Sequence, residues 1–289
     1  MFKPFERNIC PITKEDDLEL LYSFKKFPIF MGCVNTPNDS DLTQDMNWYI
    51  GKNNGIIQLN PLIPIDILYN KSHGSGTVGA LWDKHHREFA KFISQYQLKN
   101  LMEIGAGHGK MIFNYLELHP DSKWDVIEPN PKIKDDHRVS VIAGLFDENS
   151  NINQETEAIV HSHVIEHLYH PLELLNTINK KVANDILHIF SVPNLEVMLK
   201  RNYTNALNFE HTIFLNETTI ESVLKQTGFE IIKKEYFMED HSIFYATRRI
   251  EKKENHKSIN QYNNNKNLYI NYIDYHLKLI SDLNKKIDN

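Results

Sequence analysis

The stretch LMEIGAGHGK, Leu101 to Lys110, decides the fold. An apolar run leads through Glu103 to Ile104, and glycines follow at 105, 107 and 109. Glycines there permit a tight turn and let the backbone approach a ligand with no Cβ in between. The helix expected next begins with amide groups that have no intrahelical acceptor. A nicotinamide site uses Gly-x-Gly-x-x-Gly to hold a diphosphate. The spacing here is Gly-x-Gly-x-Gly with an acid two residues ahead, which suits a ligand without one.

Working outward, strand and helix alternate from Asn100 to about Thr247. Apolar runs at Leu101–Ile104, Trp124–Ile127, Val139–Ala143, Ala158–Val160 and Ile186–Val192 end at turn residues. That alternation predicts an α/β fold with a mostly parallel sheet covered by helices. The β-rich runs Phe229 to Phe237 and Ser242 to Arg248 predict a closing antiparallel hairpin. Upstream, apolar residues from Trp82 to Tyr96 recur at helical spacing. Prolines at 4, 11, 28, 37, 61 and 64 interrupt the first 66 residues, which read as a loop-rich cap with short strands. Residues 251–266 are polar and read as a linker. Beyond it, Tyr269, Tyr272, Ile273, His276, Leu277, Ile280 and Leu283 form an apolar helical stripe, either docked on its own domain or pairing two copies. The expected divisions are a cap at 1–75, a ligand-binding domain at 76–250, and linker plus C-terminal helix at 251–289.

The bulk properties exclude other classes. The formal net charge of the 289 residues is −6, so bulk attraction to nucleic acid or to an anionic membrane is not expected. Two cysteines, Cys10 and Cys33, make no disulfide framework. The sequence contains no signal-like N-terminus and no bilayer-length apolar run, so the expected location is the cytoplasm.

The glycine loop resembles motif I of the class I S-adenosylmethionine-dependent methyltransferases, which implies a Rossmann-like sheet and that cofactor. By this resemblance, Glu103, Gly105, Ala106 and Gly107 pass beneath the methionine part. Glu128, with Pro129, ends the next strand in KWDVIEPNP, 23 residues after Gly105, and accepts the ribose hydroxyls. Gly144, Leu145 and Phe146, after VSVIA, line the adenine, although Phe146 equally suits a core position. The run AIVHSHVIEHLYHP, 158–171, resembles the segment that closes the cofactor pocket. Ser162 and His163 then sit at the strand tip, and Glu166 and His167 open the next helix, with His167 structural.

Two further stretches, 55–93 and NFEHTIFLNETTIESVLKQTGFEI at 208–231, resemble the deoxysugar C-methyltransferases. That resemblance implies Tyr69, His73, Glu210 and His211 at the acceptor, where an imidazole takes the acceptor proton. The same family carries a four-cysteine zinc module and a C-terminal α/β domain. Here Thr13 stands where a second cysteine belongs, Cys33 lacks a near partner, and the stretch from Ile50 to Asn53 has none. The expectation is therefore no metal, since structural zinc needs four good ligands.

These readings combine into a methyltransferase acting on a small polar acceptor, by O-methylation of a nucleotide-linked sugar or a precursor of a capsule-type surface polysaccharide. His211 or His163 serves as base. Sugar C-methylation and a non-catalytic cofactor-binding subunit are the alternatives. The C-terminal helix is the candidate homodimer contact.

Overall fold

The computed structural model describes residues 2–30, 41–69, 79–251 and 260–287. A seven-stranded sheet runs in the order β10-β11-β8-β7-β4-β5-β6. Its strands are β4 (Asn100–Ile104), β5 (Lys123–Glu128), β6 (Val139–Ala143), β7 (Ala158–Ser162), β8 (Leu187–Pro193), β10 (Phe229–Phe237) and β11 (Ser242–Arg249). The first five are parallel, and β11 and β10 are antiparallel. This is the mostly parallel sheet with a closing hairpin expected from the sequence.

Helices cover both faces. On one, α2 (Ala80–Ser94) and α3 (Lys110–Leu118) bury Phe89, Phe92, Ile112 and Tyr115 against Trp124 and Val126. On the other, α4 (Pro171–Lys181) and α6 (Glu217–Thr227) bury Leu175, Ile178, Val223 and Leu224 against Ile159 and Phe190. The ends of α6 follow local chemistry. Asn216 Oδ1 accepts from the Thr219 amide at 2.9 Å, and Gly228 takes the left-handed terminating conformation at φ +81°.

The chain leaves β4 toward β5 on one side, and β7 pairs with β4 on the other. Loops at the C-terminal ends of these two strands therefore diverge and leave a crevice, where ligands of open parallel sheets bind.

The cap departs from the expected loop-rich region. Its strands are long: β1 (Leu18–Pro28) has eleven residues and β2 (Thr43–Gly51) nine. Prolines 11, 28 and 61 fall at strand boundaries or outside strands, so they punctuate the sheet without breaking it. With β3 (Ile57–Leu59) and β9 (Ile213–Phe214), these strands form an antiparallel sheet β1-β2-β3-β9. Its fourth strand thus comes from the segment just after His211. Cys10 is buried in the main core, and Thr13 Oγ1 accepts from Asn54 Nδ2 at 3.2 Å. Cys33 lies outside the described residues.

The last helix, α7 (Tyr262–Ile287), begins inside the stretch read as a linker. Its first half docks on the cap. Tyr269, Tyr272 and Ile273 are buried with Trp48 and Leu199, and Asn265 Nδ2 donates to the Gly55 carbonyl at 2.8 Å. Leu277, Ile280 and Leu283 are exposed, so the predicted apolar stripe divides halfway along. Among the described residues no helix is long and apolar enough to cross a membrane.

Candidate active site

The glycine loop leaves β4 with Gly105, Gly107 and Gly109 all at positive φ. A Cβ on Gly105 would lie 2.9 Å from Val164 Cγ2, whereas Gly107 faces open space. The Gly107 amide donates to Glu128 Oε2 at 2.9 Å, and the Asn130 amide donates to Oε1 at 2.9 Å. Both oxygens of the acid that ends β5 are therefore held by backbone donors. Glu103, fully buried beneath the loop, leaves Oε2 with no hydrogen-bond partner. Burial, with Glu128 nearby, pushes its carboxyl up to about 8.

A cavity of about 620 Å³ opens beside this loop, within the usual range for small-molecule sites. Glu103, Gly105, Ala106, Gly107, Ser162, His163, Glu210 and His211 line it together. His167, read from the sequence as structural, lines it too. Tyr69 lies behind His167, its hydroxyl 3.2 Å from Nδ1. Glu128, Pro129 and Gly144–Phe146 are not part of this wall. Pro129 is exposed, Leu145 is 67% exposed, and Phe146 packs partly buried on the main core. His73 lies outside the described residues.

The segment after β7 departs from the expected helix. Ile165–His167 form a single 3-10 turn, and α4 starts only at Pro171. His163, just before, adopts φ +54°, a conformation that costs a side-chain-bearing residue about 1–3 kcal/mol and clusters at functional sites. The result is a buried carboxylate ringed by imidazoles. Glu166 is fully buried, with His163 Nδ1 at 3.2 Å and His167 Nε2 at 3.8 Å from Oε1. Burial raises the Glu166 pKa and lowers that of His163 well below the usual histidine value, so both favour neutral forms.

His211 comes from the loop before β9. Its Nδ1 lies 3.2 Å from the Ala206 carbonyl, which can only accept, so Nδ1 carries the proton and Nε2 the lone pair. Arg7 anchors this loop from the far end of the chain. Its buried guanidinium donates to the carbonyls of Thr212, Leu59 (3.2 Å) and Tyr169 (3.4 Å). Burial lowers its pKa to about 10, still well above neutrality.

A sequence model of the family described as "Methyltransferase domain" matches residues 79–234, just over half of the chain. The chain belongs to this family. The S-adenosylmethionine-dependent methyltransferase expected from motif I thus stands at that level. No curated protein matches by sequence.

Solved structures that resemble this methyltransferase are distant. An N,N-8-amino-8-demethyl-D-riboflavin dimethyltransferase from Streptomyces davawensis is 16% identical, with a TM-score of 0.46 over 57% of this chain and 55% of that one. The chain therefore spans about half the length of that relative. A 1,6-didemethyltoxoflavin-N1-methyltransferase from Burkholderia thailandensis, solved with bound 1,6-didemethyltoxoflavin and S-adenosylhomocysteine, is 12% identical, with a TM-score of 0.48 over 68% of this chain and 96% of that one. A methyltransferase structure from Listeria monocytogenes is 12% identical, with a TM-score of 0.45 over 58% of this chain and 100% of that one.

S-adenosylmethionine fits the residues present. Glu103 presents an unpartnered buried carboxylate oxygen, suited to a cationic amino group. The glycine loop leaves space beside Gly107, and Glu128 is pre-oriented for hydroxyl donors. Sequence reading missed the residues that complete the cavity. Trp82 and His86 come from α2 and His241 from the β10–β11 turn, meeting His163 with Trp82–His163 and Trp82–His241 centroids both 5.0 Å apart. Of these, only the helical spacing of Trp82 and His86 carried a local signal, and it pointed equally to the core.

Proposed function

We propose that this methyltransferase transfers the methyl group of S-adenosylmethionine to a hydroxyl of a small polar acceptor, with a nucleotide-linked sugar or surface-polysaccharide precursor as the substrate class. The observation that carries the reading is the shared wall of the cavity, where the glycine loop and Glu103 face His163, His167, Glu210 and His211. Tyr203, Asn205, Asn208 and Asp240 add hydrogen-bonding groups suited to sugar hydroxyls.

S-adenosylmethionine, when bound, supplies an electrophilic methyl on a sulfonium and leaves as a neutral thioether. The protein's residues do the rest. Gly105 to Gly107 and Glu103 hold the methionine end, and Glu128 takes the ribose hydroxyls. Glu210 orients an acceptor hydroxyl. His211, with its Nε2 lone pair available, assists loss of the hydroxyl proton as the new O–C bond forms, with His163 as the rival group. Holding the acceptor oxygen in line with the methyl supplies much of the rate.

The test incubates purified protein with methyl-labelled cofactor and a panel of nucleotide sugars. Label transferred in a product whose hydroxyl is capped supports the reading. Deuterium uptake at a sugar C–H with label on carbon supports C-methylation instead, and tight cofactor binding without turnover on any acceptor supports a partner-subunit role. A homodimer through the exposed half of α7 would persist in sedimentation at micromolar protein and disappear on truncation after Asp274.

A further inference from the structure

The 3-10 turn and the loop before β9 bring Glu166, His167 and His211 together, with one ligand atom from each within 4.8 Å of the others. The side chain of Glu166 is fully buried and neither oxygen meets a donor in hydrogen-bond geometry, the nearest imidazole nitrogen being His163 Nδ1 at 3.2 Å from Oε1. A buried carboxylate without donors is costly unless it is protonated, paired or bound to a cation.

The imidazoles are oriented as metal-binding histidines are. Ligating imidazoles hold their outer nitrogen on a carbonyl, carboxylate or water, which fixes the tautomer and turns the other lone pair inward, and a hydroxyl accepting from that nitrogen does the same. His211 Nδ1 donates to the Ala206 carbonyl, leaving Nε2. His167 Nδ1 meets the Tyr69 hydroxyl at 3.2 Å, while its Nε2 points at Glu166. His163 repeats the pattern, with Nε2 on Ser242 Oγ at 2.9 Å and Nδ1 3.2 Å from Glu166.

We propose that Glu166, His167 and His211 bind one divalent first-row metal ion of the zinc class, with an open position toward the cavity. Two imidazoles and a carboxylate are an established ligand set for an open zinc site. Three ligand atoms at most 4.8 Å apart need to draw in by no more than roughly 0.7 Å each to reach zinc-ligand distances of about 2.1 Å.

The expectation of no metal came from the missing cysteines of the cap, and this cluster lies elsewhere. Another histidine group, His85, His163 and His241, also brings ligand atoms within 4.8 Å. It has no carboxylate, and its His163 and His241 share the Ser242 hydroxyl as partner. The Glu166 cluster is therefore the better cation site.

The role of the ion rests on the methyl-transfer reading, although its binding does not. An ion there lowers the pKa of an oxygen it binds toward neutrality. A hydroxyl of the acceptor would lose its proton to solvent and keep the electron pair that attacks the methyl carbon. His211 would then assist proton loss as a ligand of the ion, without taking the proton itself.

The experiment titrates chelator-treated protein with Co2+ and follows its visible absorption, alongside calorimetry with S-adenosylhomocysteine on the same samples. One equivalent should bind. Glu166→Gln and His211→Ala should each weaken Co2+ by at least about tenfold while S-adenosylhomocysteine still binds, and His241→Gln should leave Co2+ affinity unchanged. If Glu166→Gln fails to fold, His211→Ala, a loop substitution, decides the matter. Absence of stoichiometric Co2+ binding, or binding lost in His241→Gln and kept in the other two, overturns the site. Co2+ binding with no S-adenosylhomocysteine binding in the parent overturns the methyl-transfer reading and leaves the metal site standing.

Discussion

The Gly107 amide donates to Glu128 Oε2 at 2.9 Å, joining the turn after β4 to the acid that ends β5. The two halves of the proposed cofactor site are therefore built as one unit. The carboxylate proposed to meet the ribose hydroxyls is held by the glycine loop proposed to pass beneath the methionine part. Such preorganisation reduces the ordering cost of binding.

The buried Glu103 predicts proton-linked cofactor binding. Its carboxyl, pushed up to about 8, is mostly protonated at pH 7 without ligand. A cationic amino group beside it favours ionisation, so binding releases a proton and affinity rises with pH until about 8. Calorimetry at pH 7 in buffers of different ionisation enthalpy should detect this release, and Glu103→Gln should abolish it. Stability shows the opposite sign. The folded state holds a proton that the unfolded state loses near pH 4.5, so the contribution of Glu103 to the stability of cofactor-free protein falls between about 4.5 and 8, and Glu103→Gln should lack that component of the pH dependence. A parent melting curve with the same pH slope as the variant would contradict this.

Gly105→Ala should damage the protein more than Gly107→Ala. Both positions have positive φ, which costs a residue with a Cβ about 1–2 kcal/mol. Only at Gly105 would the new methyl also press on Val164, 2.9 Å away. Thermal melts should place Gly105→Ala below Gly107→Ala. Equal melting temperatures would mean that Val164 moves aside freely.

Arg7→Ala should act on both stability and turnover. The buried guanidinium ties the Thr212 carbonyl, which also accepts from the Leu59 amide at 2.9 Å, to the cap, and its loss removes several charge-assisted hydrogen bonds from a buried site, a cost of about 2–4 kcal/mol. Because Thr212 follows His211, turnover should fall further than cofactor affinity. An unchanged melting temperature would remove Arg7 from this role.

His211→Ala should keep its cofactor affinity and lose about 10²–10⁴-fold in turnover. His163→Ala should disturb the strand tip, since Ala tolerates φ +54° poorly. A His211→Ala protein with parental turnover would exclude it both as base and as a ligand of an ion that takes part in the reaction. If the parent keeps its turnover after exhaustive chelation while His211→Ala loses it, the imidazole takes the proton directly.

The central sheet was legible because its signals are local. Each parallel strand is a short apolar run closed by turn residues. The glycine loop and Glu128 were legible because their spacing follows from consecutive βα units. The acceptor side was less so. His167 reads as a helix-start residue, but Ile165–His167 tighten into a 3-10 turn that places the imidazole at the cavity. His241 sits in a hairpin turn with no pattern of its own. Arg7 meets Thr212 across 205 residues of sequence. The long β1 and β2 were hidden because their inward residues pack on α5 (Leu195–Lys200) and α7, partners that no local periodicity reveals.

Isothermal titration of S-adenosylmethionine into the parent and into Glu128→Ala tests the assignment of the cofactor site most directly. The account predicts one cofactor per chain. It also predicts a loss of about 1.5–3 kcal/mol in the variant, the cost of leaving ribose hydroxyls without their charged acceptor, which is roughly a 10- to 150-fold rise in Kd. Undiminished affinity in Glu128→Ala, or no binding by the parent, would contradict it.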